Sequence, residues 1–179
     1  MKLLFSITAL LTLLSLSQTA AAQGKVERLY VIECGARTAP DVSPWTPGVN
    51  VGKPIDFVDT CYVIKHGSDW MVWDTGLPDS IFSAPSADPF AWRRTKTLAG
   101  ELGKIGIKPG DVTFLAISHT HPDHIGNVEL FPQAMLLVQK VEYDWPNQDG
   151  SPCFRSSHPV TKLEGDHDVV RDGSVTILS

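Results

Sequence analysis

Thiolate chemistry is nearly absent from this chain. Its 179 residues include three cysteines, Cys34, Cys61 and Cys153, and no C-x-x-C pair. A thiolate zinc site and the dense disulfide framework of very small secreted domains are therefore both excluded. Cys34 and Cys61 fall in expected strands, where one disulfide could form in an oxidising compartment. The plainer reading is buried or unpaired thiols acting as small hydrophobic residues. Also missing are a G-x-S-x-G elbow, a phosphate-cradling glycine loop and an H-E-x-x-H helix. Their absence removes the nucleophile-elbow, nucleotide-binding and helix-borne zinc-peptidase readings. Lys and Arg number 15 against 20 Asp and Glu, and they form no basic stripe. That argues against nucleic acid and anionic membrane surfaces, and leaves a small-molecule partner.

Long apolar runs are missing beyond the start. Residues 3–16 are apolar apart from Ser and Thr, follow Lys2, and precede Ala20-Ala21-Ala22. This is the pattern of a bacterial-type secretory signal peptide over residues 1–22, too short for a membrane span. Residues 23–179 then form one exported domain, periplasmic or secreted, with no membrane attachment after cleavage and enough chain for a real core. Its oligomeric state is not written in the sequence.

The domain alternates between strand and helix signals, which gives an α/β class (α+β, with mixed sheets). Strands are expected over residues 26–33, 57–65, 70–73 and 134–139, with another beginning at 174–178. Residues 38–54, crowded with Pro and Gly, read as a long loop, and its Trp45 is a candidate wall for an apolar substrate pocket. Helices are expected over residues 88–103, 124–131 and 140–145, while residues 146–165 read mostly as loop.

What is present in abundance is imidazole, in one place. His119-Thr120-His121-Pro122-Asp123-His124 follows directly on the apolar run at residues 112–118. His119 and His121 are two apart, so in extended backbone both rings project to one side, and Asp123 and His124 follow as the chain turns into a helix. Neutral imidazole and carboxylate are the ligands that zinc takes outside thiolate sites, and four donors on one loop suit two neighbouring cations. Upstream, Asp74-Thr75-Gly76 sits at a strand end after an expected hairpin.

His119-x-His121-x-Asp123-His124, followed by Ile125-Gly126-Asn127, resembles the signature of the metallo-β-lactamase-fold hydrolases. Trp73-Asp74-Thr75-Gly76-Leu77 is similar to that family's Asp-Thr-Gly element. The Thr46-Pro47-Gly48-Val49-Asn50 loop and the late Asp172-Gly173-Ser174-Val175 segment look most like the N-acyl homoserine lactonase-like branch. The resemblance implies the N-terminal half of an αβ/βα sandwich. It implies two zinc ions, one on His119 and His121 and the other on Asp123 and His124, with Asp74 hydrogen-bonded behind the ligands. It implies lactone ring opening by a hydroxide shared between the metals, which Asp123 orients as a catalytic residue. A β-lactam substrate is the alternative within the fold. The family's later ligands have no counterpart here, since the remaining histidines, His66, His158 and His167, are ordinary loop positions. The expectation is therefore a fragment with half a metal site and impaired activity.

Overall fold

The computed structural model describes residues 25–155 and 157–179; the expected signal segment at residues 1–22 lies outside the described residues. Six strands pair in chain order into one sheet. β1 (Val26–Ala39), β2 (Ile55–His66) and β3 (Asp69–Trp73) are antiparallel. β4 (Phe114–Ile117), β5 (Met135–Gln139) and β6 (Val160–Leu163) continue from β3 in parallel. The helices α1 (Ser80–Ser83), α2 (Leu98–Lys104), α3 (Pro122–Ile125) and α4 (Lys140–Tyr143) are short. A small ribbon of β7 (His167–Asp168) and β8 (Thr176–Ile177) completes the described chain. No helix among the described residues is long and apolar enough to cross a membrane.

The mixed sheet follows from side-chain alternation. On β3, β4 and β5, Val72, Leu115 and Leu136 face one core with Leu98, Leu102 and Phe131, and Met71, Ala116 and Leu137 face the other with Val169 and Ile177. Central strands apolar on both faces are what parallel pairing between two layers requires.

Three helix and loop expectations change, and the strand expected over residues 26–33 runs on to Ala39 because it stays paired with β2. The helix expected over residues 88–103 shrinks to α2. Arg93 instead exchanges backbone hydrogen bonds with Ala36, at 3.0 and 2.8 Å. Thr97 then caps α2 by accepting from the Gly100 N–H. Residues 146–165 are not all loop, because β6 adds to β5; its four residues are too few for a periodicity to show. The helix expected over residues 124–131 is split into α3 and a 3-10 turn, Val128–Leu130.

Cys34 and Cys61, which read most plainly as thiols, are joined in a disulfide between β1 and β2. Both are fully buried. The pairing register places Cys61 opposite Ile32 beside a bulge at Glu33/Gly35, a placement that neither spacing nor composition encodes. Cys153 is free.

Candidate metal centre

The parallel strands β3, β4 and β5 end on the same side of the sheet, and the candidate residues stand at those carboxyl ends, where ligand crevices form in such sheets. β3 delivers Asp74, β4 runs into Ser118 and His119, and β5 leads into α4 with Glu142. The Glu142 carboxylate accepts from the backbone N–H and the hydroxyl of Thr120, at 2.9 and 3.1 Å. This anchors the residue between His119 and His121, whose rings meet edge to face with centroids 4.5 Å apart. His119 and His124 rings lie closer still, at 3.9 Å.

One carboxylate orients two imidazoles. Asp74 Oδ1 accepts from the Ser118 backbone N–H at 2.8 Å, and its Oδ2 accepts from the Ser118 hydroxyl at 2.8 Å and from His124 Nδ1 at 2.9 Å. Because the Ser118 proton is committed to Asp74, Ser118 Oγ accepts from His119 Nδ1, 3.1 Å away. Both rings therefore carry hydrogen on Nδ1 and turn an Nε2 lone pair toward the cluster, the tautomer a metal ligand needs. His119 Nε2 faces His121 Nδ1 at 3.0 Å, and His124 Nε2 lies 3.9 Å from Asp123 Oδ2.

Burial, reinforced by the neighbouring His124 and His121, lowers the His119 pKa and keeps that ring neutral. Burial also opposes charge on His124, but its bond to Asp74 and the charges of Asp74, Asp123 and Asp59 outweigh this and raise its pKa. A cation binding here competes with a proton on His124.

The donors fit zinc in kind, and His119 with His121 also in spacing. Two nitrogens on one tetrahedral zinc stand about 3.3 Å apart, close to the 3.0 Å between His119 and His121. Among the described residues, however, no three His, Cys, Asp or Glu side chains converge on one point. His66 pairs with Asp172 at 2.9 Å, the buried His158 bonds the Ala134 carbonyl, and His167 lies in β7. None of these three lines a cavity at the cluster.

Two cavities flank the cluster. One, about 1040 Å³, opens beside His119 and His121 and is bordered by Glu142, Trp145, Asn147 and Asp149. The other, about 390 Å³, meets Asp123 and His124 and is walled by Phe57, Val58, Trp73 and Trp92. Trp45 lines neither; it is largely exposed and packs on Phe57 at 4.7 Å between centroids.

Asp59, which sequence reasoning missed, lines the smaller cavity, almost wholly buried. Its Oδ2 accepts from the Leu77 N–H at 3.1 Å, yet burial pushes its pKa up to about 6 from 3.8. A raised carboxyl destabilises the fold as pH climbs from about 4 to about 6, and fully above that. In the metal-free protein Asp59→Asn is expected to gain nothing at pH 4 and roughly 1–2 kcal/mol at pH 8, after allowing for water in the cavity. Thermal melts at the two pH values check this; equal gains at both would show that desolvation is not the cause. Ser118, Thr75 and Asn127 were missed too. Thr75 and Asn127 lie inside the two motifs and Ser118 adjoins one, but no spacing announces the role of a hydroxyl or an amide.

The family model described as the metallo-beta-lactamase superfamily matches residues 55–148. The N-acyl homoserine lactonase of Bacillus thuringiensis is 25% identical over 158 residues, covering 81% of this chain and 62% of that protein. The chain thus spans less than two thirds of the length of that relative. Human metallo-beta-lactamase domain-containing protein 1 is 53% identical over 47 residues, covering 26% of this chain and 17% of that one. Among solved structures, a quorum-quenching N-acyl homoserine lactone lactonase superposes with a TM-score of 0.68 at 25% identity, covering 81% of this chain and 60% of the other. An N-acyl homoserine lactone hydrolase with N-hexanoyl-L-homoserine bound at its catalytic metal centre has the same TM-score at 24% identity, covering 82% and 63%.

Proposed function

The chain belongs to the metallo-beta-lactamase superfamily, and on that premise we propose that it is a zinc-dependent hydrolase built to open a lactone ring of the acyl homoserine lactone kind. The observation that carries this is the pair of donor sets, His119 with His121 and Asp123 with His124, set between a smaller aromatic cavity and a larger one bordered by Glu142 and Asp149. Bound there, zinc would supply an activated water at neutral pH and polarise a carbonyl. Asp123 would orient the attacking water. Asp74 and Ser118 hold the His119 and His124 lone pairs outward. Phe57, Val58, Trp73 and Trp92 offer an apolar wall for an acyl arm.

Charge favours a lactone over a β-lactam. The described linings of both cavities contain Asp59, Asp74, Asp123, Glu142 and Asp149 and no Lys or Arg. A β-lactam antibiotic's carboxylate would find no cationic side chain there, whereas an acyl homoserine lactone is uncharged. Among the described residues two donors per ion come together, where catalytic zinc normally has three protein ligands. The Cys34–Cys61 disulfide supports export to the periplasm or beyond.

The test is ring opening of N-hexanoyl homoserine lactone by the full chain in zinc-buffered solution, beside nitrocefin. Lactone turnover that a chelator abolishes is the expected result. Faster nitrocefin hydrolysis would transfer the reading to β-lactams, and zinc-independent or absent turnover of both would overturn it.

A further inference from the structure

Behind the ligands, the turn from Asp74 to Asp79 is fastened to the segment from His124 to Asn127 by buried polar contacts. The Thr75 N–H and hydroxyl both donate to the His124 carbonyl, at 2.7 and 2.9 Å. The Thr75 hydroxyl in turn accepts from the Asn127 N–H at 3.0 Å. Asn127 Nδ2 donates to the carbonyls of Thr75 and Leu77, both at 2.7 Å, and Asn127 Oδ1 accepts from the Asp79 N–H at 2.8 Å. Thr75 is wholly buried and Asn127 nearly so.

Simple packing does not require this wiring. Alone, a buried Thr or Asn would be satisfied by any nearby partners. Here every contact crosses between the same two segments, and the hydroxyl ends on the peptide of one histidine. The crossing also fixes the separation of Asp74 from His124, whose side chains meet at 2.9 Å.

We propose that Thr75 and Asn127 are positioning residues for the candidate metal centre: their clasp sets the His124 peptide so that its ring meets Asp74 and its Nε2 points outward. This rests on the reading of the cluster as a zinc site, but its geometric half stands without metal. The Thr75 hydroxyl is the specific element, since valine has nearly the same shape and neither donates nor accepts.

The experiment compares Thr75→Val and Thr75→Ser in the full chain. In the metal-free protein, NMR follows the His124 Nδ1 proton, which the Asp74 carboxylate shields from exchange. Zinc affinity is measured by competition with a chromophoric chelator. Thr75→Val is expected to lose the slowly exchanging proton and to weaken zinc by about 10-fold or more, in line with other outer partners of metal ligands. Thr75→Ser should restore both to within about 3-fold, because it keeps the hydroxyl. A folded Thr75→Val that retains the proton and the wild-type affinity overturns the proposal. If the unsubstituted chain takes up no zinc, the metal reading fails and the proton alone decides the clasp. Should Thr75→Val not fold, Asn127→Ser, which removes three cross-links, is measured in the same way, with the same outcomes deciding.

Discussion

Replacing Asp74 with asparagine is expected to weaken zinc binding by about 10- to 100-fold while the chain stays folded. The position has φ 59°, a left-handed conformation that asparagine tolerates about as well as aspartate. The amide oxygen can still accept from the Ser118 N–H, as Asp74 Oδ1 does. The second atom changes from acceptor to donor. It then rejects the His124 Nδ1 proton and the Ser118 hydroxyl proton, both of which Asp74 Oδ2 accepts. His124 loses the partner that fixes its tautomer. Ser118, freed from Asp74, can turn its proton onto His119 Nδ1 and push that ring's hydrogen to Nε2. One amide thus blocks a ligand in each donor pair. Chelator competition measures the loss; wild-type affinity in a folded Asp74→Asn would mean that the carboxylate does not orient the histidines.

Gly126→Ala is expected to destabilise the fold by about 4 kcal/mol, above the usual 1–3 kcal/mol for an overfilled site. A Cβ there would sit 2.3 Å from Pro78 N and 2.5 Å from the Gly76 carbonyl oxygen. Both are backbone atoms, so no side chain can swing aside. The Gly126 φ of −59° suits any residue, and the cost is contact rather than strain. The Gly126 N–H also donates to the Gly76 oxygen at 3.0 Å, so relief by separation would break that bond and pull on the clasp. The melting temperature should drop by about 8–16 °C for a domain of this size. A drop of under about 2 °C would show that the two segments can part without loss.

The chemistry was more legible in the sequence than the architecture that supports it. Imidazole and carboxylate at fixed short spacing, after an apolar strand, are unusual enough to point to a metal. Their placement at a strand end follows from local pattern alone. The β2–β3 hairpin was equally visible, because its turn residues and alternation are local. What escaped notice depends on partners far along the chain. Asp59 looks like one more polar residue in β2 until the Leu77 N–H and the aromatic cavity are brought to it. The disulfide depends on the register of β1 against β2 and its bulge. Residues 88–97 offer Asp88 as a cap and Pro89 for a first turn but are drawn into a bridge with Ala36, a tertiary contact that overrides a weak propensity. Trp45 stands out in the sequence as an aromatic in a long loop; the walls at the cluster come instead from Phe57 and Val58 on β2, Trp73 on β3 and Trp92.

The claim that residues 119–124 hold zinc is tested most directly by following imidazole nitrogen shifts of all six histidines by NMR as zinc is added to the full chain. His119, His121 and His124 are expected to move together, with loss of the His119–His121 hydrogen bond, while His66, His158 and His167 stay in place. Shifts confined to those other three, or a cluster unmoved by excess zinc, would contradict it.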